Sequence, residues 1–283
     1  MTRTPAPGYG RSVLPPSLKK TLVVPAAVLA LLLAPQAAEA QRYHGTDHND
    51  TLKGKGSNDV FKAKGGNDKV IGGGGNDRAY GGDGNDSLVM SAGNDKAYGE
   101  NGDDGVSGGG GNDYGDGGAD NDTVQGGGGN DTGLGGDGND KLTGQAGDDN
   151  LDGQGGNDYV QGGAGNDTVT GRDGTDDLDG GDGNDVLDDG AGDDHLSADA
   201  GDDVLRVGEG ADQVFAEQGG DTIYLLNDNA KDTVYCGTVA GGEPGDKVVL
   251  VGGRDPLDEI SNCPSFSPQR LSAPWDLLKL TLR

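Results

Sequence analysis

The sequence predicts an all-β protein, a solenoid of about ten stacked coils of 18 residues, on the strength of three observations. Twenty consecutive nine-residue blocks run from Gly45 to Tyr224 without insertion or deletion, each fitting G-G-x-G-N-D-x-U-x with U apolar. The sixth position is Asp in every block. The eighth is Leu, Val, Ile or Phe in sixteen blocks, with Ala79, Ala97, Gly115 and Gly133 as the small exceptions.

Residues 1–40 come first and read as a secretory signal. Lys19 and Lys20 precede an apolar run from Leu22 to Ala34, and Ala38-Glu39-Ala40 fits a small-x-small cleavage site before Gln41. The run falls short of the roughly twenty residues that a membrane span needs and Pro25 interrupts it, which leaves an uncleaved lipid-facing anchor as the minor alternative. No paired Arg suggests a twin-arginine route. The mature chain is therefore expected outside the cytoplasm, with no membrane span.

The β-roll follows as residues 41–224, with its blocks beginning at Gly45. Position four is Gly in seventeen blocks, replaced by His48, Ser57 and Asp120. Position five is Asn or Asp in seventeen. Gly accepts positive φ and lets carbonyls crowd together, and Asn and Asp suit tight turns. One apolar residue between polar neighbours reads as a three-residue strand with one inward side chain. Each block is thus expected to be a six-residue turn and a three-residue strand. Two blocks close one coil, and ten coils stack to roughly 48 Å at ordinary strand spacing.

One face then carries the inward column Leu52, Val70, Leu88, Val106, Val124, Leu142, Val160, Leu178, Leu196, Val214. The other carries Phe61, Ala79, Ala97, Gly115, Gly133, Leu151, Val169, Leu187, Leu205, Ile223. The four small residues fall in adjacent coils, so the core should be thin between Ala79 and Gly133. At position nine, Tyr80 and Tyr98 should sit one above the other, as should Ile71 and Val89. Such stacks ordinarily steady neighbouring strands; a glycan or cell-surface patch is the functional alternative.

An Asp that never varies while its neighbours do is a ligand or a turn requirement. The twenty are Asp50, Asp59, Asp68, Asp77, Asp86, Asp95, Asp104, Asp113, Asp122, Asp131, Asp140, Asp149, Asp158, Asp167, Asp176, Asp185, Asp194, Asp203, Asp212 and Asp221. This pattern resembles the RTX, or hemolysin-type calcium-binding, nonapeptide family. The resemblance implies a right-handed parallel β-roll with calcium held between turns of neighbouring coils. Aspartates 18 residues apart would then share an ion with turn carbonyls: Asp77 with Asp95, Asp86 with Asp104, Asp167 with Asp185. His48, Ser57 and Asp120 weaken the sites beside them.

Charge gives an independent reason for ions. The net charge is −28, and the basic residues of 1–40 leave the remainder more acidic still. Self-repulsion opposes compaction. One small apolar residue in nine cannot offset an ordering entropy of roughly 1–2 kcal/mol per residue. By composition the array should be disordered without metal. The intervals between turns allow at most about eighteen divalent ions, a charge of the right size to neutralise it. All-oxygen, flexible ligands favour calcium over magnesium, and the scarcity of His and Cys disfavours zinc. Affinities of roughly 0.1–1 mM are typical of extracellular calcium modules.

Residues 225–283 leave the nonapeptide register and are expected to cap the open end of the stack. Thr233-Val234-Tyr235 and Val248-Val249-Leu250-Val251 read as short strands. The only cysteines, Cys236 and Cys263, most simply pair in an exported protein, contributing roughly 3.5 kcal/mol on a chain-entropy estimate. The segments around Asp232 to Gly237, Asp246 to Val249 and Ser261 to Cys263 also resemble the cap of secreted bacterial RTX proteins. Leu278, Leu280 and Leu282 alternate with polar residues in a last strand-like stretch, Pro274 to Arg283.

No catalytic constellation appears. His44 and His48 lie four apart without H-E-x-x-H, and His195 falls at an outward position. No G-x-S-x-G, phosphate loop or EF-hand pattern is present. Acidic pairs such as Asp148-Asp149 fill turn positions rather than a glycosidase site. The acidic balance argues against nucleic acid. The functional expectation is an extracellular, non-enzymatic calcium-binding array that folds on its ions. A calcium-rigidified adhesion or surface-matrix protein and a non-catalytic partner of an exported enzyme are the alternatives.

Overall fold

The computed structural model describes residues 39–237, 245–252, 256–263 and 265–271, the last of these by backbone alone. The expected signal segment, apart from its last two residues, and the final strand-like stretch lie outside these residues.

Twenty-five strands, β1 to β25 in chain order, form two parallel sheets among the described residues. Odd-numbered strands make a 13-stranded sheet and even-numbered strands a 12-stranded one. The chain alternates between them at every turn, from β1 (Arg42–His44) to β2 (Thr51–Lys53) to β3 (Val60–Gly65) and β4 (Lys69–Gly74). Up to β21 each strand pairs with the next of its own sheet at an offset of 18 residues, as in Val124 opposite Leu142 and Leu142 opposite Val160. The predicted all-β solenoid of parallel coils is what the chain forms.

The strands are longer than the sequence suggested. From β3 to β18 (His195–Ala200) every strand has six residues, running from position seven of one block to position three of the next. Turns shrink correspondingly. The cause is that position one also faces inward, two residues beyond position eight on the same side of the pleat. Ala63, Met90, Ala198, Val207 and Ala216, all at position one, are buried. Most blocks have Gly there, which carries no hydropathy signal, so a six-residue strand looked like three.

Both inward columns are as expected. Every member of the first from Val70 to Val214 is buried, as are the large members of the second. Where the second column turns small, the first leans across. A Cβ on Gly115 would sit 2.8 Å from Cγ1 of Val124, and one on Gly133 would sit 3.5 Å from the same atom and 2.9 Å from Cδ2 of Leu151, its neighbour in the second column. Met90 fills the neighbouring space, and a void of only about 10 Å³ remains beside Gly115 and Gly133. The core is thin there but closed.

The stack continues past Tyr224. β21 (Thr222–Leu226) pairs with β23 (Lys247–Val251), and β22 (Thr233–Tyr235) pairs with β24 (Glu259–Ser261). β25 (Ser265–Leu271) adds the last rung of the odd sheet. Longer connections break the 18-residue period without breaking the pairing. Cys236 and Cys263 form the expected disulfide, with Cα atoms 5.1 Å apart, tying the end of β22 to the end of β24.

Candidate metal centre

Parallel stacking at a fixed offset converts each sequence position into a column. The position-six aspartates form two, one at each edge where the chain passes between sheets. Asp50, Asp68 and their successors line one edge; Asp59, Asp77 and theirs line the other. The pairs expected to share ions are next to each other. Within a column each Asp N–H donates to Oδ1 of the Asp one coil on: Asp77 to Asp95 at 2.6 Å, Asp86 to Asp104 and Asp167 to Asp185 at 2.7 Å.

That bond uses one carboxylate oxygen and leaves the other. From Asp68 to Asp221 all eighteen array aspartates have a buried Oδ2 with no hydrogen-bond partner. A buried carboxylate oxygen without a partner costs free energy, roughly 1–3 kcal/mol or more for a charged group. Eighteen in two regular rows are a set of hard oxygens of the kind that suits a divalent cation. Each Oδ2 lies against position one of its own block, which is why that position is so often Gly: a Cβ on Gly162 would sit 2.5 Å from Oδ2 of Asp167.

Electrostatics say the same. Burial, reinforced by neighbouring aspartates, pushes Asp104, Asp122, Asp149, Asp176, Asp203 and Asp212 up to about 7. Burial likewise raises Asp86, Asp95, Asp131, Asp140, Asp185 and Asp221 to about 6. The N–H bond from the preceding coil works against burial in each case and does not overcome it.

The first coil differs. Oδ2 of Asp50 accepts from the N–H and the hydroxyl of Thr46 at 2.6 and 2.9 Å, and these bonds hold its carboxyl below the usual range. Oδ2 of Asp59 accepts from Lys55 N–H at 3.4 Å, and the Ser57 hydroxyl donates to Oδ1 at 2.7 Å. The two blocks with departures at position four, His48 and Ser57, are therefore the two whose aspartates are satisfied by their own turns. Asp120, the third departure, takes Gly's conformation with φ of 78°.

Two further residues extend the columns. Asp212 N–H donates to Asp232, and Asp221 N–H donates to Asp246, at 3.1 and 3.2 Å. Both acceptors are buried. The nine-residue spacing that marks the other members ends at Asp221. A signal was present: Asp232-Thr233-Val234-Tyr235 and Asp246-Lys247-Val248-Val249 repeat the order of positions six to nine.

Position five has a second ladder. Asn76 N–H donates to Oδ1 of Asn58 at 2.8 Å, and Asn157 N–H to Oδ1 of Asn139 at 2.7 Å. Where the position holds Asp, its Oδ1 accepts the same bond, as Asp103 does from Asn121 N–H at 3.1 Å and Asp148 from Asn166 N–H at 2.9 Å.

The repeats match the family model of the RTX calcium-binding nonapeptide repeat over residues 44–223, in overlapping segments. The chain belongs to this family. Its repeats imply a calcium-binding β-roll, and such repeats are typically structural or binding elements and typical of secreted bacterial proteins. No curated protein matches the chain. The RTX donor set is all oxygen, which suits calcium. The orphaned Oδ2 rows are where such an ion would find its carboxylates.

The remaining sequence candidates stay on the surface. His44 and His48 are exposed. His195 is half-exposed, 3.1 Å from Asp177. Tyr80 and Tyr98 stack as expected, with centroids 5.1 Å apart and planes 9° from parallel, and Ile71 pairs with Val89. Their mutual packing accounts for their positions. No helix among the described residues is long and apolar enough to cross a membrane.

Proposed function

We propose that this protein is an extracellular calcium-responsive array, unfolded in low calcium and rolled into its solenoid when ions bridge the aspartate columns. The observation that carries the reading is the pair of Oδ2 rows, eighteen buried oxygens without partners. In this reading the aspartates from Asp68 to Asp221 hold the ions, each shared between neighbours in a column. Asp50 and Asp59, already satisfied by Thr46, Lys55 and Ser57, contribute least. Bound calcium supplies the positive charge that cancels the columns' repulsion.

The physical case is a competition. Metal-free, the roll must bury its carboxylates either charged, against their neighbours, or protonated well above their ordinary pKa. With calcium the same oxygens gain a partner, and binding free energy becomes folding free energy. Export fits this: calcium is scarce in cytoplasm and abundant outside, so folding would wait for secretion. The segment 1–40 supports a signal-directed route, and the Cys236–Cys263 disulfide suits an oxidising compartment. Residues 225–283 act as the C-terminal cap of the array 41–224.

Circular dichroism of the chain in chelator and then in millimolar calcium tests the reading. The expected result is a disordered spectrum converting to β-structure. Equal order in both conditions rejects it.

A further inference from the structure

Position one is Gly in fourteen of the twenty blocks and Ala, Met or Val in five; only Asp189 is polar. It lies in β17 (Val186–Ala191), with its side chain inside the solenoid and wholly buried. Because position one abuts the Oδ2 of its own block's aspartate, Asp189 projects toward Asp194. The strand register also brings it beneath Asp212 of the next coil.

One carboxylate oxygen each from Asp189, Asp194 and Asp212 lie within 4.8 Å of one another, all three residues buried. The Oδ1 of Asp189 is fixed by N–H bonds from Gly190 at 2.7 Å and Gly208 at 2.8 Å, one from its own strand and one from the coil above. Its Oδ2 is buried with no partner, as are Oδ2 of Asp194 and of Asp212. Oxygens bound to one calcium at 2.3–2.6 Å are at most about 5 Å apart, so the three fit a single ion.

We propose that Asp189 makes this rung a three-carboxylate cation site, selective for higher ionic charge, where the other array rungs offer two carboxylates. This rests on the calcium reading above and adds a residue to it. Three converging charges attract a trivalent ion more than a divalent one, since Coulomb attraction scales with ionic charge. Hard trivalent cations of calcium's size, the lanthanides, should therefore displace calcium here first.

The test uses the full chain held folded in excess calcium and titrated with terbium, read by lanthanide luminescence. The expected result is about one terbium per chain taken up at least about tenfold more tightly than the rest, the size of one added carboxylate charge beside the ion even at a water-like dielectric. Asp189→Asn should lose this tight class while its calcium-loaded circular dichroism stays unchanged. Should Asn disturb the interior, Asp189→Gly restores the residue that the repeat itself prefers and should lose the tight class equally. A single uniform class in the wild type overturns the inference, as does a tight class that survives in either folded variant; Asp189 would then be a protonated packing residue. Either result leaves the calcium reading intact. Only a wild type whose circular dichroism ignores calcium removes both.

Discussion

Asp149→Asn should push the metal-free and calcium-loaded states in opposite directions. Asp149 sits mid-column between Asp131 and Asp167. Its Oδ1 accepts from Asp131 N–H at 2.7 Å, and its own N–H donates to Asp167 at 2.7 Å. Asn keeps the accepting oxygen and replaces the orphaned Oδ2 with an amide. At a rung spacing of about 4.8 Å and an effective dielectric near 20, two ionised carboxylates repel by about 3.5 kcal/mol. Asp149 faces two such neighbours, so the gross repulsion removed is about 7 kcal/mol. Protonation already relieves part of it, because burial and then Asp131 and Asp167 push Asp149 up to about 7. The amide can also donate to the neighbouring oxygens. Metal-free Asp149→Asn should thus show more β-structure than wild type. With calcium, the rungs on either side each lose a carboxylate, so the ion count should fall by about two and folding should depend less steeply on calcium. Calorimetric titration gives the count, and circular dichroism against free calcium gives the steepness. An unchanged count with an equally steep transition would refute bridging by Oδ2.

Acid should substitute in part for calcium. Six array aspartates have folded pKa values of about 7, above their ordinary 3.8, so the folded metal-free roll binds more protons than the unfolded chain between those limits. Its stability therefore rises as pH falls from about 7 toward 4; a metal-free chain titrated down this range should gain β-signal, and a flat or falling signal contradicts the burial argument. Gly192→Ala should destabilise the calcium form by at least about 1–3 kcal/mol. Its φ is 144° and a Cβ would run into the carbonyl of Gly174, so thermal melts in calcium ought to show a lowered midpoint. Hydrogen exchange should open the coils holding Ala79, Ala97, Gly115 and Gly133 before those holding Leu151 to Leu205, since less apolar surface is buried there. Equal protection in both regions counts against a thin core.

The repeat made most of this architecture legible. A nine-residue period fixes which residues stand above one another, so the inward columns, the Asp columns and the Tyr80–Tyr98 stack follow from spacing alone. Strand length could not, because Gly at position one hides an inward position behind a residue with no hydropathy. The continuation through Asp232 and Asp246 was obscured by irregular connections, although the local order of residues persisted. The role of Asn58 and Asn139 as acceptors was also unreadable, since turn preference alone explains Asn.

By itself, then, the sequence determined the coil, its period and the rows of carboxylates, because stacking follows directly from spacing. Tertiary structure decided which oxygen of each carboxylate is already bonded and which is left over. It showed that Thr46, Lys55 and Ser57 satisfy the first two aspartates, and that Asp189 meets Asp194 and Asp212 across two coils. Periodicity specifies neighbours along a column; the direction in which a side chain points depends on the backbone bond it accepts, and that bond exists only once the coils are stacked.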